Sequence, residues 1–299
     1  MTSRIPHVRP CWRPIYLFFI VILGFWPVLA ATGPVSPASG PFLWRVEGAQ
    51  PSWLFGTIHS SDPRIATLTP STWKALDSSR SFHPEIELSA DVAAVVAQKL
   101  FLSEAPDLAT RLPSPLWARV VKASSDLGLP EPILHRLTPG MAALLFSSPI
   151  EFDPDATVDG QLYQRAKSRS LKISALETID EQMGVFEHLP EPHAIAALKD
   201  ALDESDSGRP SQGKLLAAYA SGNEQAVLAV VQEGFAKSAP MRALADPLLY
   251  RRNRLMADRL VPYLRAGGAF TAIGVAHLIG PKSVIELLRT RGYKVTRAR

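Results

Sequence analysis

Phe270-Thr271-Ala272-Ile273-Gly274-Val275-Ala276-His277 decides the fold, together with its counterpart near the other end of the chain, Trp53-Leu54-Phe55-Gly56-Thr57-Ile58-His59. Each is an apolar, strand-like run closing in Gly-x-x-His. A histidine just past a strand end stands where open α/β sheets place their ligands. The glycine three residues earlier lets the backbone turn, or lets another group come close. Two such ends gathered by one sheet bring two imidazoles to one site, the beginning of a metal centre.

Outward from the second motif, the sequence predicts a strand over Ala269–Ala276 and a helix over Pro281–Thr290 with proline in its first turn. Gly292 stops that helix, and Tyr293–Thr296 reads as a last strand. Strand, helix, strand in so short a space predicts a crossover with parallel strands. Around the first motif, Phe42–Val46 and Ser52–Ile58 read as a hairpin turning through Glu47-Gly48-Ala49-Gln50. Ser81–Leu88 is a third strand, placed at an edge or bulge by Pro84.

From about residue 90 to 264 the apolar spacing is mostly helical. It covers Asp91–Phe101, Trp117–Leu127, Ile133–Phe146, Val158–Lys167, His193–Leu202 and Leu215–Phe235. Leu171–Leu176 interrupts it as a short strand, and Ser205–Gly213 is a polar connection. The expected fold class is therefore α/β (α+β): a mixed central sheet built from N- and C-terminal strands, with a large helical insertion.

Residues 1–30 read as a secretory signal peptide. Arg4, Arg9 and Arg13 form a positive head, Ile15–Leu29 an apolar run, and Val28-Leu29-Ala30 a small-residue cleavage site. The run is too short for a stable membrane anchor. Residues 31–41 form an Ala/Gly/Pro/Ser linker, and 42–299 a single folded domain. The formal charge of +4 falls to +1 once the leader's three arginines are removed, so nothing points to nucleic acid. Cys11, the only cysteine, lies in the leader, which excludes disulfides, thiolate catalysis and cysteine-held zinc from the mature chain.

Any metal must then be held by His, Asp and Glu. Two histidines need a carboxylate, and alternation along the third strand puts His83, Glu85 and Glu87 on one face. That face can equally be solvated. His135, His188 and His193 read as surface or capping residues, and Arg251-Arg252-Asn253-Arg254 as a solvated helix face. The sequence has no H-E-x-x-H, G-x-S-x-G, Walker loop or G-x-G-x-x-G.

Taken in order, several fragments resemble the TraB/GumN family, relatives of the TIKI metalloproteases. They are Trp53–His59, Glu85-Ile86-Glu87-Leu88, Leu176-Glu177-Thr178 with Glu181-Gln182, Arg252-Asn253, Ala272–Leu278 with Gly280, Leu287-Leu288, and Gly292-Tyr293-Lys294-Val295. The resemblance implies a mixed α/β core and a metal site of His59, Glu87 and His277. Glu87 is taken as the family's strand-end glutamate. Glu177 and the pair Arg252 and Asn253 are supporting residues, and in the expected mechanism Glu85 or Glu177 is the second acid that shuttles a proton. In the TIKI branch it also implies metal-dependent peptide cleavage.

The chain departs from the family pattern at Arg251, Gly140 and Ser283, which bear on the substrate groove rather than the ligands. The expected protein is an exported hydrolase, periplasmic or extracellular, acting on a peptide or protein with a divalent cation such as Mn, Co, Zn or Fe. The alternatives are a non-catalytic binding module for haem, metal or peptide, and a structural partner in export.

Overall fold

The computed structural model describes residues 41–89, 95–96, 107–147 and 154–298. The leader, the linker up to residue 40 and nearly all of the helix expected over Asp91–Phe101 lie outside the described residues.

Six strands form one sheet: β1 (Leu43–Val46), β2 (Ser52–Thr57), β3 (Ser81–Pro84), β4 (Lys172–Ile173), β5 (Ala269–Gly274) and β6 (Val295–Arg297). Their order across the sheet is β4-β3-β5-β2-β1-β6. β1 and β2 make the expected hairpin, with Leu43 opposite Phe55 and Val46 opposite Ser52. β5 lies parallel to β2, Trp53 beside Phe270 and Thr57 beside Gly274, so the two Gly-x-x-His motifs lie side by side, offset by one residue. β3 is parallel to both β5 and β4. Four adjacent parallel strands thus share one carboxyl end.

Three expectations need correction. β3 is an inner strand, paired on both sides, and it ends at Pro84. Proline lacks the N–H to continue a ladder as donor, so the last strand position tolerates it. β6 does not lie beside β5; it pairs antiparallel with β1, two strands away, although it still points the same way as β5. The intervening helix starts at Val284, capped by Ser283, leaving Pro281 in the turn before it.

The insertion is helical as expected but more broken. Leu215–Phe235 divides into the helices Pro210–Ala220 and Glu224–Ala236. Gly222 has φ +65, and Asn223 caps the second helix through the backbone N–H groups of Gln225 and Ala226. Likewise Ile133–Phe146 splits where Pro139 opens the helix Pro139–Ser147.

Strand alternation sorts the core. Phe42, Trp44, Leu54 and Ile273 face a layer that includes Met256, Leu260, Val284 and Leu288. Leu43, Phe55, Phe82 and Phe270 face another with Leu76, Val158, Leu162 and Tyr163. A third apolar cluster joins Ile86, just past β3, to the helices of the insertion. Gly140 shows how closely those helices meet: a Cβ there would lie 1.9 Å from the Phe186 carbonyl oxygen.

Candidate metal centre

The carboxyl ends of β2, β5, β3 and β4 lead directly into His59, His277, Glu85 and Glu177. His277 sits in the helical turn Val275–Leu278 that follows Gly274. Backbone pairing continues past the strand ends: Glu85 N–H donates to Ala272 O at 3.0 Å and Glu177 N–H to Glu85 O at 2.8 Å. The four side chains therefore issue from one rigid edge. Gly56 packs the motifs together, because a Cβ there would meet Val275 Cγ2 at 3.0 Å and Phe42 Cβ at 3.2 Å.

Arg252 is the electrostatic hub. It comes from the helix Arg251–Ala266 and is 5% exposed. Its Nε donates to Glu177 Oε1 at 3.0 Å, and Nη2 donates to Glu177 Oε2 at 2.6 Å and to Glu85 Oε1. Gln182 Nε2 bridges the same carboxylates, donating to Glu85 Oε1 at 2.6 Å and Glu177 Oε2 at 3.3 Å. Gly274 N–H donates to Glu85 Oε2 at 3.0 Å. Burial opposes ionisation of Glu85, but Arg252, with His277 and His59, overrides it and holds the carboxyl at about 2. For Glu177, burial prevails over Arg252 and pushes the carboxyl up.

Each imidazole is held at Nδ1. His277 Nδ1 lies 2.6 Å from Asn253 Oδ1. The Asn253 amide is oriented in turn, its Nδ2 donating to the Lys282 carbonyl at 2.9 Å. The oxygen therefore faces the ring and His277 donates from Nδ1, leaving Nε2 as an acceptor. Burial and Arg252 push His277 down to about 3, so the ring is neutral. His59 Nδ1 meets Asp159 Oδ2 at 2.9 Å. Burial opposes its protonation, but the charge and hydrogen bond of Asp159, aided by Glu85, raise it to about 9.

Glu87 does not join this group. Its side chain is exposed, and it accepts a 3.5 Å hydrogen bond from Tyr163. Strand alternation stops governing orientation at Pro84, so sharing a face with Glu85 on paper does not carry over. His83 is structural: it is buried, donates from Nδ1 to Ser174 O, contacts Ser81 Oγ at 2.8 Å through Nε2 and stacks on Tyr263 at 3.8 Å. His135 pairs with Asp107 and His188 caps a helix, as expected. The basic run is not wholly a solvated face, because Arg252 and Asn253 point inward.

Asp159 was missed altogether. In sequence it is an acid in the first turn of the helix Val158–Ser168, indistinguishable from an ordinary helix-start residue. Gln182 was visible only as part of the Glu181-Gln182 fragment, with no role attached.

The family model described as TraB/PrgY/gumN matches residues 42–297, the whole described sheet included. The chain belongs to the TraB/PrgY/gumN family. It is similar to a protein of Amphimedon queenslandica named Metalloprotease TIKI homolog, with 24% identity over 99% of this chain and 69% of that one. It is also similar to Metalloprotease TIKI2 of Xenopus tropicalis, with 25% identity over 85% and 59%. For Metalloprotease TIKI1 of Homo sapiens the figures are 23%, 86% and 62%. The chain thus spans about three-fifths to two-thirds of the length of these TraB/PrgY/gumN relatives. No solved structure matches it.

In chemical terms the TraB/PrgY/gumN site carries donor types that a divalent cation takes: neutral His277 fixed at Nδ1 with Nε2 free of hydrogen bonds among the described residues, an ionised carboxylate, and His59, which offers Nε2 only once its proton is displaced. Among the described residues, no three such side chains already stand close enough to form a finished cage. No helix there is long and apolar enough to cross a membrane.

Proposed function

We propose that this protein is an exported metal-dependent hydrolase of peptide bonds, its leader removed near Ala30. The observation that carries the reading is the pair of Nδ1-anchored imidazoles beside ionised Glu85 at one sheet edge. The names of the TIKI relatives support it. His59, His277 and Glu85 would hold the cation, Glu85 in the place that the family resemblance implies for Glu87. Such a cation polarises a carbonyl and lowers the pKa of bound water.

The chain's own residues prepare the site. Arg252 keeps Glu85 anionic. Asn253 keeps the His277 Nε2 lone pair directed outward. Glu177, whose carboxyl is pushed up, is the acid that carries a proton. The test is Mn, Co, Zn and Fe analysis of the purified mature protein, with cleavage of a peptide library before and after chelation. Metal-dependent cleavage that disappears in His59→Ala and His277→Ala supports the reading; cleavage indifferent to chelator and to both substitutions ends it.

A second reading, a non-catalytic binding module for metal, haem or peptide, uses the same pair of Nδ1-anchored histidines. Binding through the same histidines without turnover selects it.

A further inference from the structure

The two histidines of the site are anchored by different chemistry. Asn253, which holds His277, is a neutral amide fixed by the Lys282 carbonyl. Asp159, which holds His59, is a carboxylate carried by a separate element, the helix Val158–Ser168. Thr157 caps that helix by accepting from Gly160 N–H, so the cap does not need Asp159. The carboxylate is thus available to His59, two residues past the end of β2. The His59 and Asp159 side chains are 22% and 17% exposed, dry enough for the interaction to escape full solvent screening. Among the described residues, Asp159 has no Lys or Arg partner in an ion pair.

We infer that Asp159 is the positioning residue of the site: it fixes His59 as the Nδ1–H ring and makes its Nε2 a stronger electron-pair donor than that of His277. A carboxylate accepting from one ring nitrogen raises the basicity of the other, and a neutral amide does so less. With unequal donors, His59 would be the firmer ligand of a bound cation and His277 the weaker. This inference rests on the metal reading above for its consequence, and on the hydrogen bond alone for its cause.

The experiment separates the two. In metal-free protein at a pH where His59 is neutral, ¹⁵N spectra of the histidine rings report the tautomer directly. Wild type shows His59 as the Nδ1–H form. Asp159→Ala mixes the tautomers of His59 and leaves His277 unchanged, while Asp159→Asn, which retains an oxygen acceptor, keeps the wild-type tautomer. Calorimetric titration with Mn²⁺, Co²⁺ or Zn²⁺ then shows affinity falling about 10- to 100-fold in Asp159→Ala and less in Asp159→Asn.

If Asp159→Ala leaves both tautomer and affinity at wild-type values, Asp159 is only a helix-start acid and the inference is overturned. If wild type takes up no cation, the metal reading fails, and the tautomer result alone decides whether Asp159 holds the ring. Circular dichroism of each variant confirms that it is folded.

Discussion

At the level of single residues, the sharpest contrast is between Glu85 and Glu87. Two positions apart, one is buried against Arg252 and Gln182 and the other is exposed beside Tyr163. Glu85→Gln should abolish metal-dependent cleavage and weaken cation binding, whereas Glu87→Gln should leave binding intact. Titration calorimetry on the two variants decides it, and the reverse pattern would restore Glu87 as the ligand. Arg252→Met leaves Glu85 and Glu177 facing each other without a counter-ion. Removing one partner from a buried ionic group costs about 3–5 kcal/mol. Urea unfolding should show that loss; a change under about 1 kcal/mol would mean the carboxylates share protons instead.

The histidines were legible in the sequence because a strand-end Gly-x-x-His occurs twice with similar lead-ins. The choice of glutamate was not, because alternation holds only while the strand lasts and Pro84 ends it. Asp159 was invisible for another reason: its partnership spans 100 residues, and no local pattern marks a long-range hydrogen bond.

For whole elements, helix and strand type followed apolar spacing well, and the breaks did not. The spacing continues across Gly222, where only a positive φ ends the helix. Close packing is equally hidden from periodicity. Gly140→Ala, usually favourable within a helix, should here destabilise by about 1–3 kcal/mol, because the new methyl meets the Phe186 carbonyl. Thermal melts check the sign, and a rise in Tm would show that the two helices can part without cost.

The helix Ile179–Glu187 is tied down by a capping box through Thr178 and by Glu181, whose carboxyl is lowered to about 2 chiefly by its hydrogen bond to Arg259. A carboxyl depressed on folding stabilises above its unfolded value near ~4.3 and loses that contribution as pH falls toward about 2. Both partners are 38% exposed, so the pair is worth less than ~1 kcal/mol. Wild type and Glu181→Gln should therefore differ slightly in Tm at neutral pH and converge at the acid end of that window. A gap that widens on acidification contradicts the assignment.

At the level of the molecule, a cation bound only by the folded state must stabilise it. At a concentration of 100 times its Kd the gain is about 2.7 kcal/mol, or roughly 2–4 °C in Tm for each kcal/mol in a chain of this size. Chelator should reverse the shift, and His277→Ala should lack it; an equal shift in that variant would locate the cation elsewhere.

The sheet order carries a further consequence. β5 lies between β3 and β2, yet it is the last of these three strands to be synthesised. Until residues 269–274 have left the ribosome, the two earlier strands face a gap that neither can close. Such a nonlocal insertion makes for slow folding. It also means that no nascent or truncated chain ending before β5 can assemble the sheet edge that carries Glu85 and the two histidines. His277 emerges only after the strand that seats it, so the two histidines can meet only when the sheet is complete.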